Sequence, residues 1–189
     1  MSLPYRITAS DSVLVVIDVQ EKLLAKMPLR AELVRTTCFL LDVANLLTVT
    51  VLATEQYPKG LGSTTPDIAK RLSKPIPAKT SFSSFWCAEF RDQLQDSGCK
   101  NVILTGMETH VSILQTAIDL IVAKFNVTLC VDALSSRHTR DHDVAIQQLR
   151  DCGAFVTTAE AVAFEWLRDA AHPQFKAISK LVIERATAS

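Results

Sequence analysis

Residues 101–120, which read N-V-I-L-T-G-M-E-T-H-V-S-I-L-Q-T-A-I-D-L, decide the fold that the sequence predicts. Val102 begins a short apolar run typical of a β-strand, Gly106 permits a sharp turn, and apolar residues then recur at helical spacing. Thr109 is a candidate N-cap, because its hydroxyl can accept a hydrogen bond from an amide of the first helical turn. Such a turn directs free amides and the positive end of the helix dipole at one point, and Ser112 lies there. Taken alone, the stretch is more typical of an ordinary strand-to-helix junction than of a catalytic site.

Strands and helices alternate through the rest of the chain. The run S-V-L-V-V-I-D at residues 12–18 is apolar and β-branched, as expected of a strand buried on both faces of a parallel sheet. Alternation of this kind implies right-handed crossovers and helices on both faces of the sheet. The sequence therefore predicts one α/β domain over residues 1–189. The predicted strands are 12–18, 49–53, 101–104, 126–131 and 154–157; the predicted helices are 27–47, 66–73, 84–97, one after residue 109, 143–151, 159–171 and 175–185.

Composition is typical of a soluble globular protein. The chain has 189 residues, 48% of them hydrophobic, and its 20 basic residues balance 20 acidic ones. A neutral chain without long charge runs is not expected to bind nucleic acid or an anionic membrane. No apolar run approaches the roughly 20 residues that span a bilayer, and residues 1–10 lack the apolar segment of a signal peptide.

The five cysteines are scattered along the chain, odd in number and without a C-x-x-C pair. This usage favours reduced thiols in a reducing compartment over a disulfide framework or a zinc ribbon. We therefore expect an intracellular protein and place it first in the cytoplasm. The lone Arg6 makes only a weak transit peptide, and a mitochondrial location stays open.

Candidate catalytic groups follow the predicted strands. Asp18 closes the first strand, Lys79 stands at a strand end or in a loop, and Glu108 and Ser112 follow the third strand. In open α/β sheets the site lies outside the carboxyl ends of the strands, so these groups are expected to converge. A carboxylate beside a lysine would keep that lysine charged, and the lysine would lower the pKa of the carboxyl. Asp18 could equally serve as an N-cap of the next segment.

Other catalytic patterns are weaker. The four histidines lack metal-ligand spacing, and His138 and His142 are more typical of a solvated helix start than of a metal site. The sequence has no G-x-G-x-x-G, P-loop or G-x-S-x-G motif. A Ser-His-Asp triad built on Ser112 is not excluded, but nothing in the sequence supports one.

Six short motifs carry a family resemblance. They are V-V-I-D-V-Q-E at residues 15–21, T-E-Q-Y-P-K-G-L-G at 54–62, K-T-S-F-S at 79–83, G-M-E-T-H-V at 106–111, D-A-L-S-S-R at 132–137 and H-P-Q-F-K at 172–176. In this order and spacing they resemble the isochorismatase-like, or cysteine hydrolase, superfamily, and most closely its isochorismatase domain-containing branch. The resemblance covers nearly the whole chain. It implies a three-layer α-β-α sandwich with a mostly parallel sheet, the isochorismatase-like hydrolase fold, and a homo-oligomer, either a dimer or larger.

The resemblance also implies a catalytic trio of Asp, Lys and Cys. The Asp matches Asp18 and the Lys matches Lys79, but the cysteine position falls on Ser112. It further implies a non-proline cis peptide before Glu108, with the amides of Glu108 and Ser112 forming an oxyanion hole. Metal-using relatives carry an Asp-x-His motif and another His in the loop after the second strand. Here that loop, residues 54–62, has no His, so we expect no metal and no other cofactor.

Serine at the cysteine position changes the expected chemistry. A thiol has a pKa of about 8.5 that a lysine and a helix N-terminus lower readily, whereas a serine hydroxyl needs a base in contact. Covalent amide hydrolysis of the thiol type is therefore expected to be lost or severely slowed. Cys87 is the one candidate replacement among the five cysteines, and a buried helix thiol is the better interpretation of it.

Three functions stay open after this departure. The first is a hydrolase that cleaves a C–N amide or vinyl-ether bond of a small organic substrate through Asp18, Lys79 and Ser112. Some relatives without the cysteine hydrolyse a vinyl ether with the Asp as general acid. The second is a pseudoenzyme that keeps the pocket and the oligomer surface as a binding or scaffold protein. A ribonuclease, the label of some similar chains, is disfavoured because the chain is neutral and lacks a His pair or metal site.

Further residues are predicted to line the pocket or to pack the last helices. Phe82, Phe85 and Trp86 form an aromatic cluster near Lys79, and at least one of them is expected in the core. The predicted substrate contacts are Gln20, Tyr57, Phe82, Trp86, Thr109 and His110. The apolar residues of the last helices that are expected to face either a partner subunit or the core are Phe164, Trp166, Leu167, Phe175, Ile178 and Leu181.

Overall fold

A six-stranded parallel sheet forms the middle layer of the protein, whose computed structural model describes residues 6–187. The strand order is β3-β2-β1-β4-β5-β6, and every neighbouring pair is parallel. The predicted α/β fold with a parallel sheet is confirmed. The strands are β1 (Ser12–Ile17), β2 (Thr50–Gln56), β3 (Ala78–Lys79), β4 (Asn101–Met107), β5 (Asn126–Ser135) and β6 (Phe155–Thr157).

Helices cover both faces of this sheet. Short 3₁₀ segments at Ala9–Asp11 and Ser84–Trp86 and a π-helical turn at Thr109–Ile113 complete the regular structure. No helix within residues 6–187 is both long and apolar enough to cross a membrane. The helices are α1 (Glu21–Leu24), α2 (Arg30–Leu46), α3 (Pro58–Leu61), α4 (Pro66–Ala69), α5 (Ala88–Asp96), α6 (Leu114–Val122), α7 (Thr139–Asp151), α8 (Ala159–Leu167) and α9 (Phe175–Thr187).

Strand β1 is central because its side chains pack into two hydrophobic clusters, one on each face of the sheet. Leu14 and Val16 pack with residues of α2, α8 and α9 on one face. Val13 and Val15 pack with residues of α5, α6 and α7 on the other. Every residue of β1 is buried, as the uninterrupted apolar run predicts. Each aliphatic side chain buried in this way contributes about 1.5–3 kcal/mol of transfer free energy, so the run fixes β1 in the interior.

Gly106 lies inside β4 and does not form the sharp turn that its position in the sequence predicts. Its φ is 117°, and a Cβ built on it would collide with the backbone carbonyl oxygen of Ile17. Gly106 is paired with Ile17 in the register between β4 and β1. The glycine is therefore required because these two strands approach each other closely just before their carboxyl ends.

The predicted N-cap at Thr109 is wrong. The chain enters a π-helical turn directly after Glu108, and the amide of Ile113 donates to the Glu108 carbonyl at 3.2 Å, a span of five residues. The Thr109 hydroxyl is hydrogen-bonded to Nδ1 of His142 at 2.9 Å and makes no capping bond. A wider first turn replaces the capped α-helical turn that the sequence predicts.

Several predicted boundaries also shift. The segment 84–97 is divided because Ser83 accepts from the amide of Phe85 at 3.3 Å and caps a 3₁₀ turn, after which α5 begins at Ala88. Helix α8 ends at Leu167 and does not reach residue 171, since Arg168 adopts a φ of 68°. Helix α7 begins four residues earlier than predicted, at Thr139.

The apolar residues of the last helices mostly face the core. Trp166, Leu167 and Ile178 are buried, Phe175 and Leu181 pack against the same cluster, and Phe164 is 42% exposed. The sequence left open whether these six residues face the core or a partner subunit. Five of them pack in the core, and Phe164 remains available to a partner.

The strand order places a crevice at the carboxyl end of β1. Strands β2 and β3 lie on one side of β1, whereas β4, β5 and β6 lie on the other. The connections that leave β1 and β4 thus diverge, which opens the sheet edge between them. Residues directly after these two strands are the ones that the fold brings into this crevice.

Candidate active site

Asp18 and Lys79 form a buried ion pair at this edge. Asp18 directly follows β1 with a φ of 55°, and Lys79 ends the edge strand β3. Lys79 Nζ lies 2.7 Å from Asp18 Oδ2, and both side chains are only 1% exposed. A lysine and a carboxylate are rarely buried so completely unless they are paired. The predicted convergence of these two groups is thus what the structure shows.

The Lys79 ammonium has a full set of acceptors. Besides Asp18, Nζ donates to Gln56 Oε1 at 2.7 Å and to the Phe82 carbonyl at 3.0 Å. An ammonium has three hydrogens, and these three short bonds use them. The Ser112 hydroxyl lies farther away, at 3.5 Å from Nζ. This arrangement stabilises the charged lysine and leaves it no lone pair with which to accept a proton.

The second oxygen of Asp18 is held by a buried hydroxyl chain. Thr54 donates to Asp18 Oδ1 at 2.9 Å, and the Thr54 and Ser84 hydroxyls are 3.1 Å apart. The amide of Ser84 in turn donates to the Thr116 hydroxyl at 2.8 Å. Because Thr54 has one proton to donate, its bond to the carboxylate requires that Ser84 be the donor between the two hydroxyls.

Burial moves the two pKa values towards each other. Burial raises the pKa of Asp18 above its ordinary value, although Lys79 and the hydrogen bonds from Ser112 and Thr54 oppose the rise. Burial likewise lowers the pKa of Lys79, against the attraction of Asp18. The sequence-based expectation named only the lysine's effect on the carboxyl, and burial outweighs that effect. Asp18 is consequently a better proton acceptor than an exposed aspartate.

Ser112 joins this pair from the π-helical turn. Its side chain is within 3.5 Å of Lys79 Nζ, and its hydroxyl makes a hydrogen bond that lowers the pKa of Asp18. The residue is 4% exposed. Because the Lys79 hydrogens are used in shorter bonds, the Ser112 hydroxyl is oriented by its bond to the carboxylate, with its proton towards Asp18. The structure therefore brings the three predicted catalytic side chains into one cluster.

Glu108 lies between β4 and the π-helical turn, and its carboxylate is bound to Arg137. The Met107–Glu108 peptide bond is cis, at the position that the family resemblance implies. Glu108 Oε1 accepts from Arg137 Nε at 2.9 Å and from the Arg137 amide at 3.3 Å. Sequence reasoning missed Arg137, which is half-exposed beside the catalytic turn. The only sequence signal for it was its place at the end of the D-A-L-S-S-R motif.

Gln20 is bound by backbone groups of the protein, and its role as a substrate contact stays a prediction. It is fully buried, its Nε2 donates to the carbonyls of Gln56 and Gly62 at 3.0 and 2.6 Å, and its Oε1 accepts from the Gln56 amide at 2.7 Å. Gln56 ends β2, and Gly62 directly follows α3. The Gln20 amide therefore fixes this part of the chain against the end of β1.

Thr109 and His110 also have partners within the protein, and their predicted roles as substrate contacts stay predictions. Thr109 is fully buried and bound to His142, as described above. His110 Nδ1 lies 3.0 Å from the Ser136 hydroxyl, and its Nε2 lies 3.9 Å from Asp141 Oδ2. Both side chains are thus engaged with the segment that links β5 to α7, away from the Asp18–Lys79 pair.

Three aromatic residues near Lys79 remain open to solvent. Tyr57 and Phe82 are 53% exposed and Trp86 is 66% exposed, whereas Phe85 packs against the core, as predicted for one member of the cluster. The Tyr57 amide donates to the Lys79 carbonyl at 2.8 Å, which ties its backbone to β3. These side chains can border an entrance to the site.

Neither a replacement thiol nor a metal site accompanies the trio within residues 6–187. Cys87 Sγ contacts Glu89 Oε2 at 3.3 Å, and burial raises the pKa of its thiol, which opposes formation of a nucleophilic thiolate. No group of three or more His, Cys, Asp or Glu side chains in the described range could hold a metal ion.

The fold and the site together define a class: three-layer α/β proteins with a buried acid–lysine pair at the carboxyl edge of a parallel sheet. The family model of the isochorismatase domain matches residues 12–161. The chain therefore belongs to the isochorismatase-like hydrolase family. It is 40% identical to mouse isochorismatase domain-containing protein 2A over 183 residues, which are 95% of this chain and 86% of the mouse protein.

Solved structures share this fold. One is the MAR1 ribonuclease from Caenorhabditis elegans, with a TM-score of 0.89 and 39% identity, over 95% of this chain and 93% of that one. Another is the YcaC gene product of Escherichia coli, described as an octameric hydrolase of unknown specificity. It has a TM-score of 0.85 and 21% identity, over the full length of both chains.

Proposed function

We propose that this protein hydrolyses a small organic molecule at the Asp18–Lys79–Ser112 site. Asp18 is the acid and base, Lys79 stabilises negative charge, and Ser112 occupies the nucleophile position. The observation that carries this proposal is the convergence of the three groups, with a 2.7 Å ion pair buried beside a hydroxyl. Family membership supports a hydrolase, and the buried pair supplies the charged groups that such chemistry needs.

Asp18 is the proton carrier in this proposal. Lys79 uses its three hydrogens in short bonds, so it acts as a fixed positive charge. Burial raises the pKa of Asp18, which makes its conjugate acid easier to populate than that of an exposed aspartate. A protonated Asp18 can act as general acid on a vinyl ether, and an ionised Asp18 can accept the Ser112 proton. The first route requires no nucleophile, which favours it for a chain with serine at this position.

The amides of Glu108 and Ser112 are proposed as the oxyanion hole, and Tyr57, Phe82 and Trp86 as substrate contacts. Exposed aromatic rings give a small organic substrate apolar area at little entropic cost, because each has only two side-chain torsions. The Tyr57 amide donates to the Lys79 carbonyl, and Lys79 Nζ donates to the Phe82 carbonyl, so two of the three residues are joined to Lys79. No metal or other cofactor enters this proposal.

Two substrates separate the routes. We expect wild-type protein to hydrolyse an aryl vinyl ether, and Asp18→Ala to lower kcat/KM by about 10²–10⁴-fold. Against p-nitroacetanilide we expect wild type to be silent and Ser112→Cys to acquire activity. Ser135→Cys, a serine of similar burial at the end of β5, is the matched control and should stay silent. Inactivity of both wild type and Ser112→Cys would instead support a pseudoenzyme that retains the pocket for binding.

RNA is the second substrate class to test, because the C. elegans relative is called a ribonuclease. The zero net charge gives this chain no general attraction for phosphates. We expect no RNA cleavage above background. Cleavage that survived both Asp18→Ala and Lys79→Ala would show that the proposed site is not responsible for it.

We also propose that the chain forms a homo-oligomer. Phe164 on α8 and Ile183 on α9 are 42% and 61% exposed, and the structurally similar E. coli protein is described as octameric. Sedimentation equilibrium of the wild type should give a mass at least twice that of the 20.8 kDa chain. A single species of 20.8 kDa at micromolar concentration would contradict this.

A further inference from the structure

A second cleft lies at the carboxyl end of β5. A cavity of about 130 Å³ opens between the start of α2, the end of β5 and the first turn of α7. Its apolar wall includes Pro28 and Leu33, and its polar wall includes Ser136, Thr139 and His142. None of the three side chains of the proposed active site lines it. The cleft is therefore a separate place where a small molecule could lie.

Ser136 is a candidate nucleophile that lines this cavity, and its hydroxyl contacts the imidazole of His110. The residue is 2% exposed and follows directly after β5. Its hydroxyl lies 3.0 Å from Nδ1 of His110, the distance of a serine–imidazole hydrogen bond. By contrast, the neighbouring Ser135 also lines the cavity and has no histidine partner among the hydrogen bonds of the described residues. Of these two serines, only Ser136 has an adjacent proton acceptor.

An acid stands on the far side of the same imidazole. Asp141 Oδ2 lies 3.9 Å from His110 Nε2, and the carboxylate is 44% exposed. A carboxylate on that side favours the tautomer with the proton on Nε2, which leaves the Nδ1 lone pair facing Ser136. It also stabilises the imidazolium that forms when Nδ1 accepts a proton. Because the distance is long and the carboxylate is partly solvated, this stabilisation is modest.

The start of α7 supplies donors for an oxyanion. Helix α7 has 13 residues, and the side chain of the preceding His138 makes no capping hydrogen bond. The first amides of an α-helix have no partner within the helix, and the helix dipole makes this end positive. Thr139, the first residue of α7, lines the cavity next to Ser136. The nucleophile thus lies beside groups able to stabilise a developing negative charge.

We propose that Ser136, His110 and Asp141 form a second catalytic site, which transfers acyl groups from short, uncharged carboxylic esters. Ser136 Oγ attacks the ester carbonyl carbon while its proton moves to His110 Nδ1. The tetrahedral intermediate expels the alcohol, which takes that proton from His110, and an acyl-serine remains. Water then attacks the acyl carbon while His110 takes one of its protons, the acyl–Oγ bond breaks, and His110 returns that proton to Ser136 Oγ as the acid is released. Glu32 and Asp132 also line the cavity, so an anionic acyl group is disfavoured.

Active-site labelling tests this proposal directly. Wild-type protein is treated with a fluorophosphonate probe, which phosphonylates activated serines, and the labelled peptide is mapped by mass spectrometry. We expect the label on Ser136. A label on Ser112, or no label above that of the denatured protein, would overturn the proposal. Because this readout uses the wild type, it does not depend on whether any variant folds.

Three variants then assign the roles. Ser136→Ala should abolish labelling, and His110→Gln should slow it by at least about 10²-fold. Asp141→Asn should slow it by about 3–10-fold, since the carboxylate acts only through charge at 3.9 Å. Ser12→Ala, which changes a serine of similar burial in β1 outside the cavity, is the matched control and should label at the wild-type rate. Labelling that is unchanged in His110→Gln would show that the imidazole is not the base.

Hydrolysis of p-nitrophenyl acetate provides a second readout. We expect a burst of p-nitrophenol followed by slower turnover, as an acyl-serine intermediate requires. The burst should be absent in Ser136→Ala and present in Ser12→Ala. A burst in Ser136→Ala would mean that another nucleophile is acylated, and it would contradict the assignment. This outcome is independent of the vinyl-ether and anilide tests of the Asp18 site.

Discussion

The carboxyl edge of the sheet carries two polar clusters that differ in charge and burial. Around β1 and β3, Asp18 and Lys79 are ionised partners 2.7 Å apart, each 1% exposed. Around β5 and α7, His110, Ser136 and Asp141 are joined by contacts of 3.0 and 3.9 Å, and Asp141 is 44% exposed. The first cluster holds two opposite charges away from water, whereas the second joins a hydroxyl and an imidazole to a partly exposed carboxylate.

This difference teaches where stability and function are coupled. A buried charge must be compensated, so every change in the first cluster is expected to alter folding as well as chemistry. A hydroxyl and an imidazole that lose a partner can recover a hydrogen bond from water when the site is partly open. The second cluster should therefore tolerate substitution with a small loss of stability. Each prediction below tests one side of this comparison.

The largest effect is expected from breaking the ion pair. Lys79→Met leaves the Asp18 carboxylate buried without its counter-charge and should lower the free energy of unfolding by about 3–5 kcal/mol. Removing both charges in Asp18→Asn/Lys79→Met should recover most of this loss. Asparagine is chosen because Asp18 has a φ of 55°, a conformation that asparagine tolerates. Urea denaturation monitored by circular dichroism measures all three proteins.

The matched measurement on the second cluster is Asp141→Asn, which we expect to change the free energy of unfolding by less than about 1 kcal/mol. Equal losses in Lys79→Met and Asp141→Asn would show that the two clusters do not differ in the way their burial indicates. A double variant no more stable than Lys79→Met would likewise mean that the unpaired charge is not the cause of the loss.

The next effect concerns the backbone that carries the first cluster. Gly106→Ala combines a φ of 117° with a collision against the Ile17 carbonyl, one residue before Asp18, and should cost about 3 kcal/mol or more. Gly153→Ala is the matched control, because its φ is 99° but no atom lies within 4 Å of the added Cβ. It should cost about 1 kcal/mol. Thermal unfolding measures the difference, and similar losses would exclude the close approach as the reason for glycine.

A smaller effect is expected at Thr54, the donor to the second Asp18 oxygen. Thr54→Val preserves the shape of the side chain but removes the 2.9 Å bond to Oδ1, and it should cost about 1.5–3 kcal/mol. Thr128→Val is the control, because the buried Thr128 hydroxyl has no hydrogen-bond partner within the described residues. It should be close to neutral. A loss at Thr128 as large as that at Thr54 would mean that shape, not the hydrogen bond, determines the cost.

The fold and the main pair were predictable because the pattern of the strands determines both. Asp18 and Lys79 end or follow parallel strands, and the carboxyl ends of parallel strands meet at one edge of the sheet. The apolar run of β1 likewise identifies a strand buried on both faces. These conclusions require only the spacing of apolar residues and the direction of the chain.

The partners of Gln20, Thr109 and His110 were not predictable in the same way. Proximity to Asp18 or Ser112 along the chain suggests proximity in space, but the π-helical turn sets a different register for the side chains that follow Glu108. His110 consequently meets Ser136, 26 residues later, and not Ser112. Turn type depends on tertiary contacts, which local sequence does not encode.

The smallest effect distinguishes the clusters by the sign of their pH dependence. Burial raises the pKa of Asp18 in the folded state above its ordinary 3.8. Between pH 3.8 and this folded pKa, the folded state therefore binds more protons than the unfolded state. The Asp18 contribution to stability therefore falls as pH rises from 3.8 towards the folded pKa. Next to the second cluster, burial lowers the folded pKa of His142 below 6.5. The unfolded state then binds more protons, and the contribution of His142 falls as pH drops below 6.5.

Subtracting the unfolding free energy of a variant that lacks one of these groups from that of the wild type isolates the group's own pH dependence. The unfolding free energy of wild type minus that of Asp18→Asn should decrease as pH rises above 3.8, whereas wild type minus His142→Gln should decrease as pH falls below 6.5. One pKa unit corresponds to about 1.4 kcal/mol, so a measurement over about 1.5 pH units limits either change to about 2 kcal/mol. Opposite slopes are expected because burial disfavours the charged form of both groups. The charged form of Asp18 is the deprotonated one, whereas that of His142 is the protonated one. Slopes of the same sign would show that burial does not determine the direction of the pKa shift in one of these two groups.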